Sequence, residues 1–279
     1  MLKTCDFQNS KAGLGEGIYW DSEYDSLFWV DINKSILLSC SNGHIFEYKI
    51  SENISTVLSV KDGIVCLSNR SGLINYHLAS NSISQISRTP LIFTTKEYRA
   101  NDGVKLGDRL YIYGVMRKEP VKKDGALIVS KDGVSKIICT DISIPNTFIK
   151  IPNSHSLLIS DSFDCVVYKI TFNEAWSSVI SKIKWLDLSH TGTTPDGGCI
   201  SSSGRIFISI WDGFKILELD LNGKLIQEFK LPVPRPTNCA LNSSENQLFV
   251  TSAYEGLTEH DRKKYPLSGS IVTLDISVC

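Results

Sequence analysis

The sequence predicts an all-β chain folded as a six-bladed β-propeller, and three observations carry that expectation. A strand-like unit recurs at intervals of roughly 36 to 49 residues, the length of one four-stranded blade. The segments between the copies also read as strands. No stretch shows a convincing helical period.

Taken in order, the recurring unit is a polar turn followed by an apolar run that ends in small polar residues. It reads "DSLFWVDI" at 25–32, "SGLINYHL" at 71–78 and "GDRLYIYGVM" at 107–116. It returns as "SHSLLISDS" at 154–162, "SGRIFISIW" at 203–211 and "ENQLFVTSA" at 245–253, so six units fill the chain. Between them "HIFEYKI", "VVYKITF", "FKILELDL" and "SIVTLDI" each alternate or run apolar between turn residues. The nearest approach to a helix, "TFNEAWSSVISKIKWL" at 171–186, reads equally as a loop and a strand because of Val179 and Ile180. No Pro-rich linker or low-complexity tract interrupts the pattern, and a single domain over residues 1–279 is expected.

A second pattern lies upstream of most units. It reads "GEG" at 15–17, "KDG" at 61–63, "NDG" at 101–103, "PNT" at 145–147, "PDG" at 195–197 and "PTN" at 236–238. Any one of these is an ordinary turn signal. In a propeller the first strand of each blade lines the channel, so the set predicts Glu16, Asp62, Asn101, Asn146, Asp196 and Asn238 around one axis. Carboxylates and amides that converge call for a bound group, and hard oxygen donors suit Ca²⁺, Mg²⁺ or Mn²⁺ better than a soft metal. The five histidines are scattered and form no metal-binding pair.

Composition excludes other classes. With 29 basic against 30 acidic side chains, nothing points to nucleic acid or an anionic membrane, and no protein partner is implied. The first residues lack a secretory apolar segment and no run is long enough to cross a membrane, so a cytoplasmic protein is expected. Eight cysteines without a C-x-x-C pair read as reduced, mostly buried thiols rather than a zinc site or a disulfide framework. "GLGEG" leads into a strand and lacks the spacing of a nucleotide loop, and neither a serine-hydrolase elbow nor a P-loop is present.

At these motifs the sequence resembles the family of gluconolactonase, regucalcin (senescence marker protein) and luciferin-regenerating enzyme. The matching segments are "LGEGIYWD…LFWVDI", "RANDG…YGVM", "IPNTF…LLISDS", "TPDGGCI…IFISIWDG" and "LPVPRPTNCAL…LFVTSA", in order along nearly the whole chain. The family fold is a six-bladed propeller holding one divalent metal. The resemblance implies Glu16, Asn146 and Asp196 as metal ligands, with Ca²⁺ first and Zn²⁺, Mn²⁺ or Mg²⁺ as alternatives. It also implies substrate contacts from Arg99, Asn101 and Glu119. The implied activity is metal-dependent opening of a sugar lactone, aldonolactone to aldonic acid, with Asp196 as the catalytic proton acceptor. The alternative is a calcium-binding regulatory protein of the regucalcin type without dedicated catalysis.

Three departures from the family pattern bear on the substrate. Thr147 stands where the family carries a glycine, Ala100 replaces an aromatic or cysteine, and Tyr113 replaces a small residue. Tyr113 and Arg117 are expected to narrow the pocket. The strand aromatics Trp29, Trp211 and Tyr111 read as core or channel lining, and the polar stretch 255–269 as a solvated loop or a lid.

Overall fold

In a computed structural model the described part of the chain, residue 7 and residues 10–276, is nearly all β and forms six antiparallel sheets, the six blades of the predicted propeller. The first sheet is β1 (Gly15–Asp21), β2 (Ser26–Asp31), β3 (Ile36–Ser41) and β4 (His44–Lys49). The second is β5 (Ile54–Lys61), β6 (Ile64–Asn69), β7 (Gly72–His77) and β8 (Ser82–Arg88). The third is β9 (Tyr98–Gly107), β10 (Leu110–Arg117), β11 (Ala126–Lys131) and β12 (Val134–Cys139). The fourth is β13 (Pro145–Lys150), β14 (Ser156–Asp161), β15 (Val166–Phe172) and β16 (Val179–Asp187). The fifth is β17 (Thr194–Ile200), β18 (Ile206–Trp211), β19 (Lys215–Leu219) and β20 (Leu225–Lys230). The sixth is β21 (Pro236–Leu241), β22 (Gln247–Ser252) and β23 (Val272–Asp275). Second strands such as β2 and β14 are buried along their whole length, whereas fourth strands such as β4 are mostly exposed. A strand covered on both faces must be apolar or hydrogen-bonded throughout, which explains the continuous runs.

Five of the six predicted copies coincide with second strands. The copy at 71–78 does not: it is β7, the third strand of its sheet, and the second strand is β6, "IVCLSN". Both runs follow a turn and both are apolar, so only the pairing order separates them. This shift also relocates Asp62. It is exposed in the two-residue turn between β5 and β6, with φ 51° at Asp62 and 71° at Gly63. Two positive φ values in succession are what a tight hairpin of this twist requires. Near the start of β5 the buried polar residues are Ser55 and Thr56 instead.

The chain divides into two compact units. The first comprises residues up to Asn53 and from Asp196 onward. One of its cores gathers Ile18, Leu27, Trp29, Leu38 and Phe249, with Trp20 stacked on Phe249 at 5.4 Å. The other gathers Phe207, Ile216, Val233, Leu248 and Val250. Residues 255–269, read as a loop or lid, contain a short helix α1 (Glu259–Lys264) started by a reciprocal capping box between Thr258 and Asp261.

The second unit runs from Ile54 to Pro195. Tyr113 lies in its core with Leu58, Leu73, Phe93 and Val115, fully buried, its hydroxyl 3.0 Å from Thr89 Oγ1. Arg117 pairs with Glu97 and Asp124 and lies over the Tyr98 ring. Neither therefore narrows a pocket as expected: one fills the core and the other is held in an ion-pair cluster. The segment 171–186 is the end of β15, a turn carrying buried Trp176 at φ 59°, and β16. Trp176 packs on Phe172 and His155, which anchors the turn and commits Val179 onward to a strand.

Of the described cysteines, Cys66, Cys139, Cys165, Cys199 and Cys239 are free thiols, as expected, but Cys40 is disulfide-bonded. Cys5 and Cys279 lie outside the described residues.

Candidate active site

In the first unit the site residues stand at irregularities of the first strands. Glu16 pairs opposite Val30 and Tyr19 opposite Phe28, so one extra residue is accommodated between them. The bulge is made by Gly17 at φ 54°, and its N–H donates to Glu16 Oε2 at 3.1 Å. The other flanking glycine has a different reason. A Cβ on Gly15 would lie 2.8 Å from the Ser252 carbonyl oxygen, so β1 can approach β22 only without a side chain there. The buried carboxylate of Asp31, at the end of β2, accepts N–H bonds from Gly13 (2.9 Å) and Leu14 and holds the lead-in to Glu16.

Thr237 at the start of β21 donates its hydroxyl to the Gly15 carbonyl, tying β21 to β1. The next residue, Asn238, is 5% exposed and accepts the Cys239 N–H at 2.8 Å. Its amide fills the space above Gly197: a Cβ on Gly197 would come within 2.2–2.6 Å of the Asn238 side-chain atoms. Asp196, 6% exposed, directly precedes that glycine. Glu16, Asn238 and Asp196 are thus carried by first strands linked through Thr237–Gly15 and Asn238–Gly197.

In the second unit Arg99, Asn101 and Asn146 form a directed hydrogen-bond relay. Arg99 Nη1 donates to Asn101 Oδ1 and, at 3.1 Å, to the Ala100 carbonyl. Asn101 Nδ2 donates to Asn146 Oδ1 at 2.7 Å and to the Pro145 carbonyl at 2.9 Å. Asn146 Nδ2 donates to Ser162 Oγ at 2.9 Å, and Ser162 Oγ to the Pro195 carbonyl at 2.7 Å. Each amide is oriented by its neighbours, and the Asn146 oxygen retains a lone pair beyond the one Asn101 occupies. Asp161 repeats the role of Asp31, accepting N–H bonds from Ser143 (2.9 Å) and Ile144 (3.1 Å) ahead of Asn146.

Thr147 takes the bulge position beside Asn146 at φ 71°, fully buried, with Oγ1 3.0 Å from Ser160 Oγ. A β-branched residue is costly there, and the hydroxyl bond is part of what compensates. The relay thus brings three of the predicted residues together. It does not include Glu119, which is exposed after β10 and makes no hydrogen bond or ion pair with a described residue.

The donors are two buried carboxylates and amide oxygens, the chemistry of a hard divalent cation. Among the described residues no three His, Cys, Asp or Glu side chains gather as a metal-ligand group, so a cation here would depend on amide oxygen. In the second unit the oriented oxygen of Asn146 is an amide oxygen of that type. Sequence reading missed Gly197, Ser162, Asp31 and Asp161. The doubled glycine of "PDGG" was a signal for close approach, and the acids ending "WVD" and "LISD" were visible as a repeated feature.

The SMP-30/gluconolactonase/LRE-like region model matches residues 14–254. Regucalcin of Gallus gallus is 25% identical over 274 residues, covering 92% of this chain and 89% of its own. The 6-deoxy-6-sulfogluconolactonase of Pseudomonas putida is 23% identical over 271 residues, covering 95% of this chain and 92% of its own. The crystal structure of the calcium-binding protein regucalcin from Agrobacterium tumefaciens superposes with a TM-score of 0.88 at 19% identity, covering 95% of this chain and 90% of that one. These likenesses agree with the six-bladed fold.

Proposed function

The chain belongs to the SMP-30/gluconolactonase/LRE-like family, and from that premise we propose that it is a divalent-metal-dependent lactonase that opens a sugar lactone to the hydroxy acid. The observation that carries the reading is the relay Arg99–Asn101–Asn146, which orients two amides and a guanidinium and leaves a lone pair on the Asn146 oxygen. The same chain of bonds runs on through Ser162 to the Pro195 carbonyl, so the Asn146 amide is held in one orientation with its oxygen available to a cation. The lactonase names among its relatives point the same way.

Glu16, Asn146 and Asp196 would hold the cation, two charges against two with the amide adding none. When bound, the cation supplies polarisation of the lactone carbonyl and acidifies water. Asp196 accepts a proton from the attacking water as its oxygen bonds to the carbonyl carbon. The ring C–O bond then breaks, and the ring oxygen leaves as a hydroxyl after taking that proton. Arg99 donates to a sugar oxygen, while Asn101, whose two N–H groups are held by Asn146 and Pro145, accepts a sugar hydroxyl at Oδ1; together they fix the ring, which removes orientational freedom before reaction. Glu119 would join them only if its loop folds over the bound sugar.

A pH-indicator assay on metal-stripped protein tests this, with a panel of aldonolactones and Ca²⁺, Mg²⁺, Mn²⁺ and Zn²⁺ restored singly. Metal-dependent turnover lost in Asp196→Ala is the expected result. Tight metal binding without turnover on any lactone would instead favour a regucalcin-type binding protein.

A further inference from the structure

The first unit contains a cavity whose chemistry the proposed reaction does not use. It has a volume of about 200 Å³ and is lined by Lys11, Tyr254, Arg262, Tyr265, Pro266 and Ser268. Its walls are built rather than loose. The Tyr254 and Glu255 N–H groups donate to the Gly13 carbonyl at 3.1 and 2.9 Å, and Ala12 N–H donates to the Gly269 carbonyl at 2.9 Å. Gly269, at φ 86°, has no room for a side chain: a Cβ would lie 2.5 Å from the Ala12 carbonyl oxygen. The Tyr265 ring is set edge-on against Phe214 at 5.1 Å.

Three observations give the cavity a ligand preference. Lys11 donates from Nζ to the Pro266 carbonyl at 2.6 Å, and among the described residues it has no carboxylate partner. Arg262 donates from Nε to the Leu257 carbonyl at 3.2 Å and lies 4.7 Å over the Tyr254 ring, which leaves its terminal nitrogens without a carboxylate. Of the nearby acids, Asp261 is committed to the Thr258 cap and Glu255 to Asn33 Nδ2 at 2.6 Å, while Glu259 is exposed on the helix and makes no ion pair with a described residue. Ser268 is 3% exposed and lines the cavity, and its Oγ is buried with no hydrogen-bond partner among the described residues. A buried hydroxyl without a partner costs folding free energy unless something supplies one.

We propose that this cavity is a binding site for a small organic oxyanion, a carboxylate or phosphate ester, held by Lys11, Arg262 and Ser268 between the rings of Tyr254 and Tyr265. Two unpaired cations supply charge, the fork of Arg262 suits two oxygens of one anion, and Ser268 supplies a desolvated hydroxyl. The volume is below that of a drug-sized pocket and suits a metabolite of few carbons. The site is independent of the lactonase reading, because no residue of the relay or the carboxylate set lines it.

The test is calorimetric titration of the full chain at low ionic strength with inorganic phosphate and, separately, with acetate. Saturable binding of at least one anion is expected, weakened five-fold or more in Arg262→Gln and in Lys11→Gln, and at least three-fold in Ser268→Ala. Lys263→Gln, on the same helix but outside the cavity, should bind as the parent does. Preference for phosphate identifies a phosphate ester as the natural class, and preference for acetate a carboxylate. Absence of saturable binding by both anions overturns the proposal, as does equal weakening by Lys263→Gln. Thermal midpoints of the variants within about 2 °C of the parent separate loss of binding from loss of fold.

Discussion

Replacing Gly197 by alanine tests how the strand carrying Asp196 is fitted. The new Cβ would lie 2.2 Å from Asn238 Cγ, 2.4 Å from Nδ2 and 2.6 Å from Oδ1, closer than any real contact. Backbone movement of β17 is opposed by its pairing in the fifth sheet, so the Asn238 amide is the group that yields. Swinging it away breaks the 2.8 Å bond from Cys239 N–H to Oδ1 in a site that is 5% exposed, leaving a buried donor unsatisfied. That costs about 2 kcal/mol, which for a chain of this size lowers the thermal midpoint by about 4–8 °C. Asn238→Ala should cost a similar amount through the same lost bond. The double variant Gly197→Ala/Asn238→Ala should then be no less stable than Asn238→Ala alone, because the colliding amide is gone. Thermal unfolding of the four proteins in one buffer measures the cycle. Additive losses, or a Gly197→Ala protein as stable as the parent, would refute the packing argument.

Other expectations are equally direct. Asn101→Ala removes the donors to Asn146 Oδ1 and the Pro145 carbonyl, and should cost about 1–3 kcal/mol of stability in urea unfolding; lactone turnover, once established, should fall by at least about a hundred-fold. Burial pushes the Cys66 thiol up to about 11, so at pH 8 it should resist alkylation in the folded protein and react only after denaturation, as mass mapping would show. Burial raises the Glu218 carboxyl, but bonds from Arg205 and Gln227 outweigh it and hold the group below the usual carboxylate range. A lowered folded pKa means stability that is full above the ordinary carboxylate range and lost as pH falls through the folded value. Arg205→Met should therefore cost about 3 kcal/mol at pH 7 and progressively less toward pH 3, and a cost independent of pH in urea unfolding would contradict the pairing.

The candidate site was legible where one residue type on one turn carried the information. Glu16, Asn146 and Asp196 stand out beside glycine or proline and Asn101 two residues before a glycine, and each lies on a first strand. Asp62 carries the same local signature and lies instead in a hairpin turn, because Asp-Gly serves a tight turn as well as a strand entrance. Tyr113 suggests a pocket residue because it replaces a small residue of the family pattern, yet period-2 alternation along β10 sends its ring into the core. The stretch 255–269 has too few apolar positions to predict anything but a loop, and its helix rests on a cap and on anchorage to residues 12 and 13.

What the sequence alone determined, then, is the repeat: turn residues at blade length and apolar runs between them commit the chain to short antiparallel strands, since these signals act between near neighbours. Tertiary structure decided which amides are oriented by which donors, why Gly197 must be a glycine, that Cys40 is oxidised while five other cysteines are free, and that Lys11 meets Arg262 and Ser268 at one cavity. Those contacts join residues tens to hundreds of positions apart. Their energies depend on distances of a few ångströms that close only when separate strands pack, and no local pattern encodes them.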